Sequence, residues 1–178
     1  MLSRAVATSA VLLLAGILCA HQAVGVVADG NEMQKKHKPN NAVDVKLSVA
    51  VEAQSVTATL TFTNQSSADV HIEKINGCLD GSIQNDVFKI TADGERVLYT
   101  GALAKRFPPG PEDFVKVAPG KKLTTTVRLD QAYGLIPGSH RYRAAYSALH
   151  PFPDRPGFLS LESNSVSFTV TPSPSTVP

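Results

Sequence analysis

Histidine, cysteine and carboxylate side chains are the groups here that could hold a metal or move a proton, and their spacing argues against both. The five histidines are His21, His37, His71, His140 and His150. No two stand at metal-ligand spacing on one element. The chain has no H-E-x-x-H, no G-x-S-x-G nucleophile elbow and no phosphate-cradling G-x-x-x-x-G-K-[ST]. His71 falls in a strand-like stretch and reads as surface or core filler. His140 and His150 meet only if the chain between them folds back. Asp80 and Asp86 flank a loop, where carboxylates form turns and stay solvated. No nucleophile, base and orienting group assemble from these residues. The expectation is a non-enzymatic protein with no catalytic residue, metal or cofactor.

Cysteine usage points the same way. Of the two cysteines, Cys19 lies in the apolar run Ala5–Ala20 that follows Arg4. One positive charge, a short apolar run and then small residues describe a secretory signal peptide, placed at 1–25. The run is short for a membrane span, and no later stretch is longer, so a secreted chain without a membrane anchor is expected. Cys78 then has no partner, and a lone thiol usually acts as a small buried hydrophobe. The domain must hold together by its core. Net charge is +2 with charges scattered. The one basic cluster, Lys35-Lys36-His37-Lys38, sits in a polar leader (26–42) that reads as disordered. Nucleic-acid binding wants a larger basic surface interleaved with aromatics, so no nucleic-acid partner is expected.

The elements that must position any site are strands. In Val43–Val51 every odd position is apolar. In Ser55–Thr63, Val56, Ala58, Leu60 and Phe62 alternate with Thr57, Thr59, Thr61 and Thr63. Period-2 patterning of this kind belongs to half-buried strands with one wet face. Further strands are expected at Asp69–Ile75, Val87–Thr91, Arg96–Thr100, Phe114–Val117, Leu123–Leu129, Ser139–Ser147 and Ser165–Val170. Asp93-Gly94 should turn a hairpin, and Asp130–Tyr133 hints at one helical turn. Asn64-Gln65-Ser66 is a turn and also an N-glycosylation sequon, making Asn64 the glycosylation candidate. The fold class is all-β: an Ig-like or fibronectin-like antiparallel sandwich of about seven to nine strands over 43–171, with a Pro/Ser/Thr tail at 172–178. With no tryptophan in the chain, the Cys…Trp…Cys core of a true immunoglobulin domain is excluded.

Two segments stand out as surfaces. The first runs Lys105-Arg106-Phe107-Pro108-Pro109-Gly110-Pro111. Proline fixes φ and reduces the entropy lost on docking, so these prolines could hold Phe107 and the basic pair in a preset shape. The same residues also suit a stiff connector between sheets, and Lys105-Arg106 also suits a processing site. The second is His150-Pro-Phe152-Pro-Asp-Arg-Pro-Gly-Phe158, read as a loop. Exposed Phe152 and Phe158 among prolines suit protein contact; they equally suit covering an open end of the sandwich.

The middle of the chain resembles a known family in its ordered motifs. They are Asn64…Cys78-Leu79-Asp80-Gly81, Phe88-Lys-Ile-Thr-Ala-Asp-Gly94, Val97-Leu-Tyr99-Thr-Gly101, Lys105-Arg106, Pro109, Asp113, Val115, Pro119-Gly120, Leu129-Asp-Gln-Ala-Tyr133 and Gly138…Tyr142. This order resembles the N-terminal β-sandwich pro-region of deuterolysin and Lys-specific metalloendopeptidases, the aspzincins, over about Val43 to Ser147. The family's catalytic domain carries H-E-x-x-H and a downstream G-T-x-x-D aspartate; this chain has neither. The resemblance implies a pro-region-like domain standing alone, whose partner is a secreted zinc metallopeptidase that it inhibits or helps to fold. Lys105, Arg106, Phe107, Pro108, Pro109, Phe152 and Phe158 are the candidate partner-binding residues. Two other readings stand beside it: the N-terminal part of a peptidase precursor lacking its catalytic part, and a generic extracellular adhesion or ligand-binding sandwich. A Cys78 thiolate ligating the partner's zinc is a further idea, though the family pattern has no cysteine at this place.

Overall fold

The computed structural model describes residues 42–52, 55–103, 108–136 and 138–170, all within the unit Lys38–Pro178. The expected signal peptide and leader, Lys105, Arg106, Phe107 and the tail 172–178 lie outside the described residues. Alternation builds the first sheet. Strands β1 (Val43–Glu52) and β2 (Ser55–Asn64) pair antiparallel from Val43 opposite Asn64 to Glu52 opposite Ser55. Val56, Ala58, Leu60 and Phe62 are fully buried. The outward threonines reach strand β7 (Lys122–Arg128), with Thr59 and Thr126 hydroxyls 3.2 Å apart and Thr61 and Thr124 hydroxyls 3.3 Å apart. Such cross-strand pairs contribute about 0.2–1 kcal/mol each.

The second sheet has the order β10 (Val166–Val170), β8 (His140–Pro151), β4 (Phe88–Ala92), β5 (Glu95–Arg96). Strand β9 (Phe158–Glu162) pairs with the far half of β8. The β4–β5 turn has positive φ at both Asp93 (49°) and Gly94 (97°), the signature of a type I′ hairpin. β5 is shorter than the alternation predicts: after Val97, whose N–H still donates to Ile90 O at 2.9 Å, the chain leaves β4. Tyr99 then forms a single bridge with Tyr133. A small third sheet pairs β3 (Val70–Glu73) with β6 (Phe114–Val117).

The two larger sheets face each other across an aromatic core. Phe62 of the first meets Tyr146 of the second edge-on at 5.7 Å. Phe88 meets Tyr146 at 5.8 Å and Tyr133 at 6.2 Å. Edge-to-face pairs add about 0.5–1.5 kcal/mol beyond area burial. Where a helical turn is expected, the chain forms the short 3-10 turn Leu129–Gln131. Asp130 within it caps the start of β2, its Oδ1 accepting the Val56 N–H at 2.9 Å.

The seam between β1 and the β9–β10 edge is closed by a side chain. Glu162 opposes Ser147, yet Val166 opposes Ala144, so Ser163–Ser165 stand against only Ala145 and Tyr146. That extra residue is a β-bulge. It aims Asn164 at β1, where its Oδ1 accepts the Leu47 N–H at 2.9 Å and its Nδ2 donates to Leu47 O at 3.1 Å. The amide replaces one peptide unit of a ladder, beside a parallel bridge between Val45 and Ser163.

The second proline-rich segment departs from expectation. His150–Phe158 is not a single loop: His150 and Pro151 end β8, and Phe158 opens β9, leaving only 152–157 as the turn. The many prolines masked a hairpin because Pro151 is tolerated at the last rung of the ladder, where little backbone pairing remains to lose.

Candidate protein-binding surface

The β8–β9 hairpin decides which of its residues face out. Opposed residues in a ladder share a face, and Leu149 opposes Ser160 while Pro151 opposes Phe158. These four therefore point outward, and His150, Leu159, Ala148 and Leu161 point inward. Phe158 is 62% exposed and Leu149 55%. The turn is held by Phe152 N–H donating to Gly157 O at 3.2 Å. Gly157 takes φ 115°, a conformation that suits only glycine. Arg155 stacks over the Phe152 ring at 4.2 Å, a cation–π contact. Of the two expected contact aromatics, half-buried Phe152 serves the turn and Phe158 is the open one.

The proline segment is anchored by its own turn. Gly110 N–H donates to Asp113 Oδ2 at 2.8 Å, and Asp113 N–H returns to Gly110 O at 3.0 Å. Pro111 opens the 3-10 turn Pro111–Asp113 at a place where a missing N–H costs nothing. Asp113 O then accepts the Lys74 N–H at 2.8 Å. Pro108 is exposed and Pro109 half-buried. Leu98 and Leu103, 68% and 70% exposed, lie on the segment that leads toward Lys105.

A buried polar network ties both segments to the same place. Glu73 is 1% exposed, His150 and Tyr146 0%, and Asn76 9%. The Glu73 N–H donates to His150 Nδ1 at 3.2 Å. The Tyr146 hydroxyl donates to Asn76 O at 2.8 Å and lies 2.7 Å from His150 Nε2. With its proton committed to Asn76, the hydroxyl must accept from Nε2–H, so the network fixes a neutral imidazole with the proton on Nε2. Asn76 Nδ2 donates to Glu73 Oε2 at 2.6 Å and to Leu149 O at 2.7 Å. Asn85 Nδ2 donates to Asn76 Oδ1 at 2.8 Å. No buried side-chain N or O among the described residues lacks a partner. Burial also pushes the Tyr146 phenol well above its ordinary range. Glu73 thus pairs with Phe114 on one side and holds His150 on the other, fastening the proline turn and the hairpin to one end of the sandwich. The alternation marks Tyr146 as inward, but it does not mark Glu73, Asn76 and His150 as its partners.

No protein-family model matches this chain, and no curated protein matches it in sequence. The site therefore has to be read from its own geometry. Among the described residues no group of three or more His, Cys, Asp and Glu is placed to hold a metal ion, and no helix is long and apolar enough to cross a membrane. His140 and His150 stand at opposite ends of β8, ten residues apart on one extended strand. Cys78 is 1% exposed, and burial pushes its thiol up to about 12. A neutral, enclosed thiol cannot ligate a zinc presented from outside, which removes that idea.

Asn64 is also not the open acceptor that its sequon suggests. It is fully buried, and its Nδ2 donates to Ala68 O and to Val117 O, both at 2.8 Å. Its Oδ1 accepts from the Ser66 N–H and hydroxyl at 2.9 and 2.7 Å. A glycan would have to displace one of those buried bonds. Asn-x-Ser here is a turn-forming arrangement.

Proposed function

We propose that this chain is a secreted, non-catalytic binding domain that docks onto a zinc endopeptidase of the deuterolysin and Lys-specific group, inhibiting it or assisting its folding. The observation that carries the reading is the outward face of the β8–β9 hairpin. Leu149, Pro151 and Phe158 form an apolar group there on two paired strands, so little entropy is lost when a partner covers them. The proline turn 108–113 is anchored to the same buried network, through the Lys74 N–H on Asp113 O and the pairing of Glu73 with Phe114, which fixes its shape as well. The ordered motifs from Asn64 to Tyr142 supply the choice of partner class.

The test is a titration of an aspzincin peptidase with the purified domain, following residual proteolysis and complex formation on a sizing column. Stoichiometric loss of activity is expected. Phe158→Ser, at an exposed position, should weaken the complex about tenfold, the loss typical of one anchoring aromatic at an interface. Absence of both inhibition and complex across several such peptidases would overturn the reading.

A further inference from the structure

The outer face of the second sheet carries a feature that the docking surface does not use. Five arginines fall among the described residues, and three of them are engaged. Arg96 pairs with Asp86 at 2.8 Å, Arg128 pairs with Asp130 at 2.6 Å, and Arg155 lies over Phe152. Arg141 and Arg143 form no ion pair with any described residue. Both are exposed and stand on the same face of β8, with β4 and β10 paired on either side of that strand. At i and i+2 on one strand their Cα atoms are about 7 Å apart. Two guanidiniums are thus presented side by side to solvent on one strand, free to meet an anionic partner.

Their neighbours are hydroxyls. Arg143 is flanked by Thr91 and Ser167, and Arg141 by Thr169. The one carboxylate in the lining, Asp93, makes its hydrogen bonds elsewhere, Oδ1 accepting the Arg141 N–H at 2.9 Å and Oδ2 lying 2.6 Å from His140 Nδ1; its charge also acts on Arg141 but leaves Arg143 without a counter-charge in the lining. These residues line an open depression of about 940 Å³, within the range of organic ligand sites. We propose that this depression binds an oligosaccharide bearing carboxylate or sulfate groups. The two guanidiniums take the anionic groups through charge-assisted, bidentate hydrogen bonds. Thr91, Ser167 and Thr169 meet the sugar hydroxyls.

Other polyanions fit less well. Single-stranded nucleic acid needs stacking aromatics, and the one aromatic in the lining, Tyr142, is fully buried. A bound peptide strand would add to a free sheet edge, and the arginines stand on β8, which is paired on both sides here. An anionic membrane surface calls for a larger cluster of about four to eight cations.

The experiment is calorimetric titration of the full mature chain with a heparin-derived hexasaccharide, using maltohexaose, hexaglutamate and a short oligothymidylate as comparison probes. Binding of the sulfated sugar alone is expected, and it should weaken about tenfold or more in the double variant Arg141→Gln/Arg143→Gln. The charge-matched variant Lys46→Gln/Lys122→Gln, on the opposite sheet, should bind as the parent does. Both arginines are solvent-facing, so thermal unfolding of the double variant should be unchanged or slightly raised. No binding, equal binding of hexaglutamate or the oligonucleotide, or equal weakening by the lysine variant would overturn the proposal.

Discussion

Tyr146→Phe removes one oxygen from the centre of the buried network and leaves the ring in place. In the parent, that oxygen donates to Asn76 O at 2.8 Å and lies 2.7 Å from His150 Nε2. The variant therefore takes the Tyr146 partner away from the buried His150 Nε2 and one partner from a buried carbonyl. An unsatisfied buried group costs about 1–3 kcal/mol, and the carbonyl's loss adds less because water or its second lone pair can compensate in part. The expected destabilisation is about 2–3 kcal/mol, a large fraction of the roughly 5–15 kcal/mol that holds a typical domain. The chain contains no tryptophan, so urea unfolding is best followed by far-UV circular dichroism, with the slope required to match the parent. Tyr142→Phe is the internal comparison. Among the described residues its hydroxyl bonds the Ile136 N–H and C=O, each at 3.1 Å and part-buried, so it should cost about 0.5–1 kcal/mol. A Tyr146→Phe loss below about 0.5 kcal/mol, or one no larger than that of Tyr142→Phe, would refute the argument that the network is dry and fully satisfied.

Three further outcomes follow from the same geometry. Asn164→Ala removes both bonds to Leu47 and should cost about 1–2 kcal/mol in urea unfolding; Asn164→Asp should not restore it, since a carboxylate cannot donate to Leu47 O. The Asp93 carboxyl is held below its ordinary 3.8, first by the His140 hydrogen bond and then by the Arg141 N–H. The unfolded chain then binds the proton more readily, so the contribution of Asp93 is present above pH 3.8 and is lost as pH falls through the lower folded value. Carboxyl NMR should show that depressed midpoint, and a midpoint at or above 3.8 would contradict the pairing. Cys78, enclosed and with its thiol pushed up to about 12, should resist thiol reagents at pH 8 in the native state and react at once in denaturant; rapid native labelling would show that its cover opens.

The residues of the proposed docking surface could be picked out from residue order, and the network beneath them could not. Phe158 and Pro108–Pro109 stand out by type, because large apolar and conformationally restricted residues are informative without knowing their neighbours. Glu73, Asn76 and His150 look ordinary in sequence. Their partners lie 70 and 77 residues away for Tyr146 with Asn76 and for Glu73 with His150, and no local pattern carries that distance.

The division between sequence and tertiary structure follows the range of the physics involved. Alternation along Val43–Glu52 and Ser55–Asn64 determined two strands and their inner faces, because side chains in a strand switch sides at every residue. Asp93-Gly94 determined a I′ turn, because few residues tolerate two successive positive φ angles. Only the tertiary structure decided that Asn64, a turn residue in sequence, is fully buried with both ends of its amide hydrogen-bonded. Packing alone also turned Pro151 and Phe158 into the last rung of a hairpin, and a single extra residue near Asn164 closed the seam to Leu47, 117 positions away. A buried polar group must find a partner wherever the fold brings one, and that choice is made by the assembled chain.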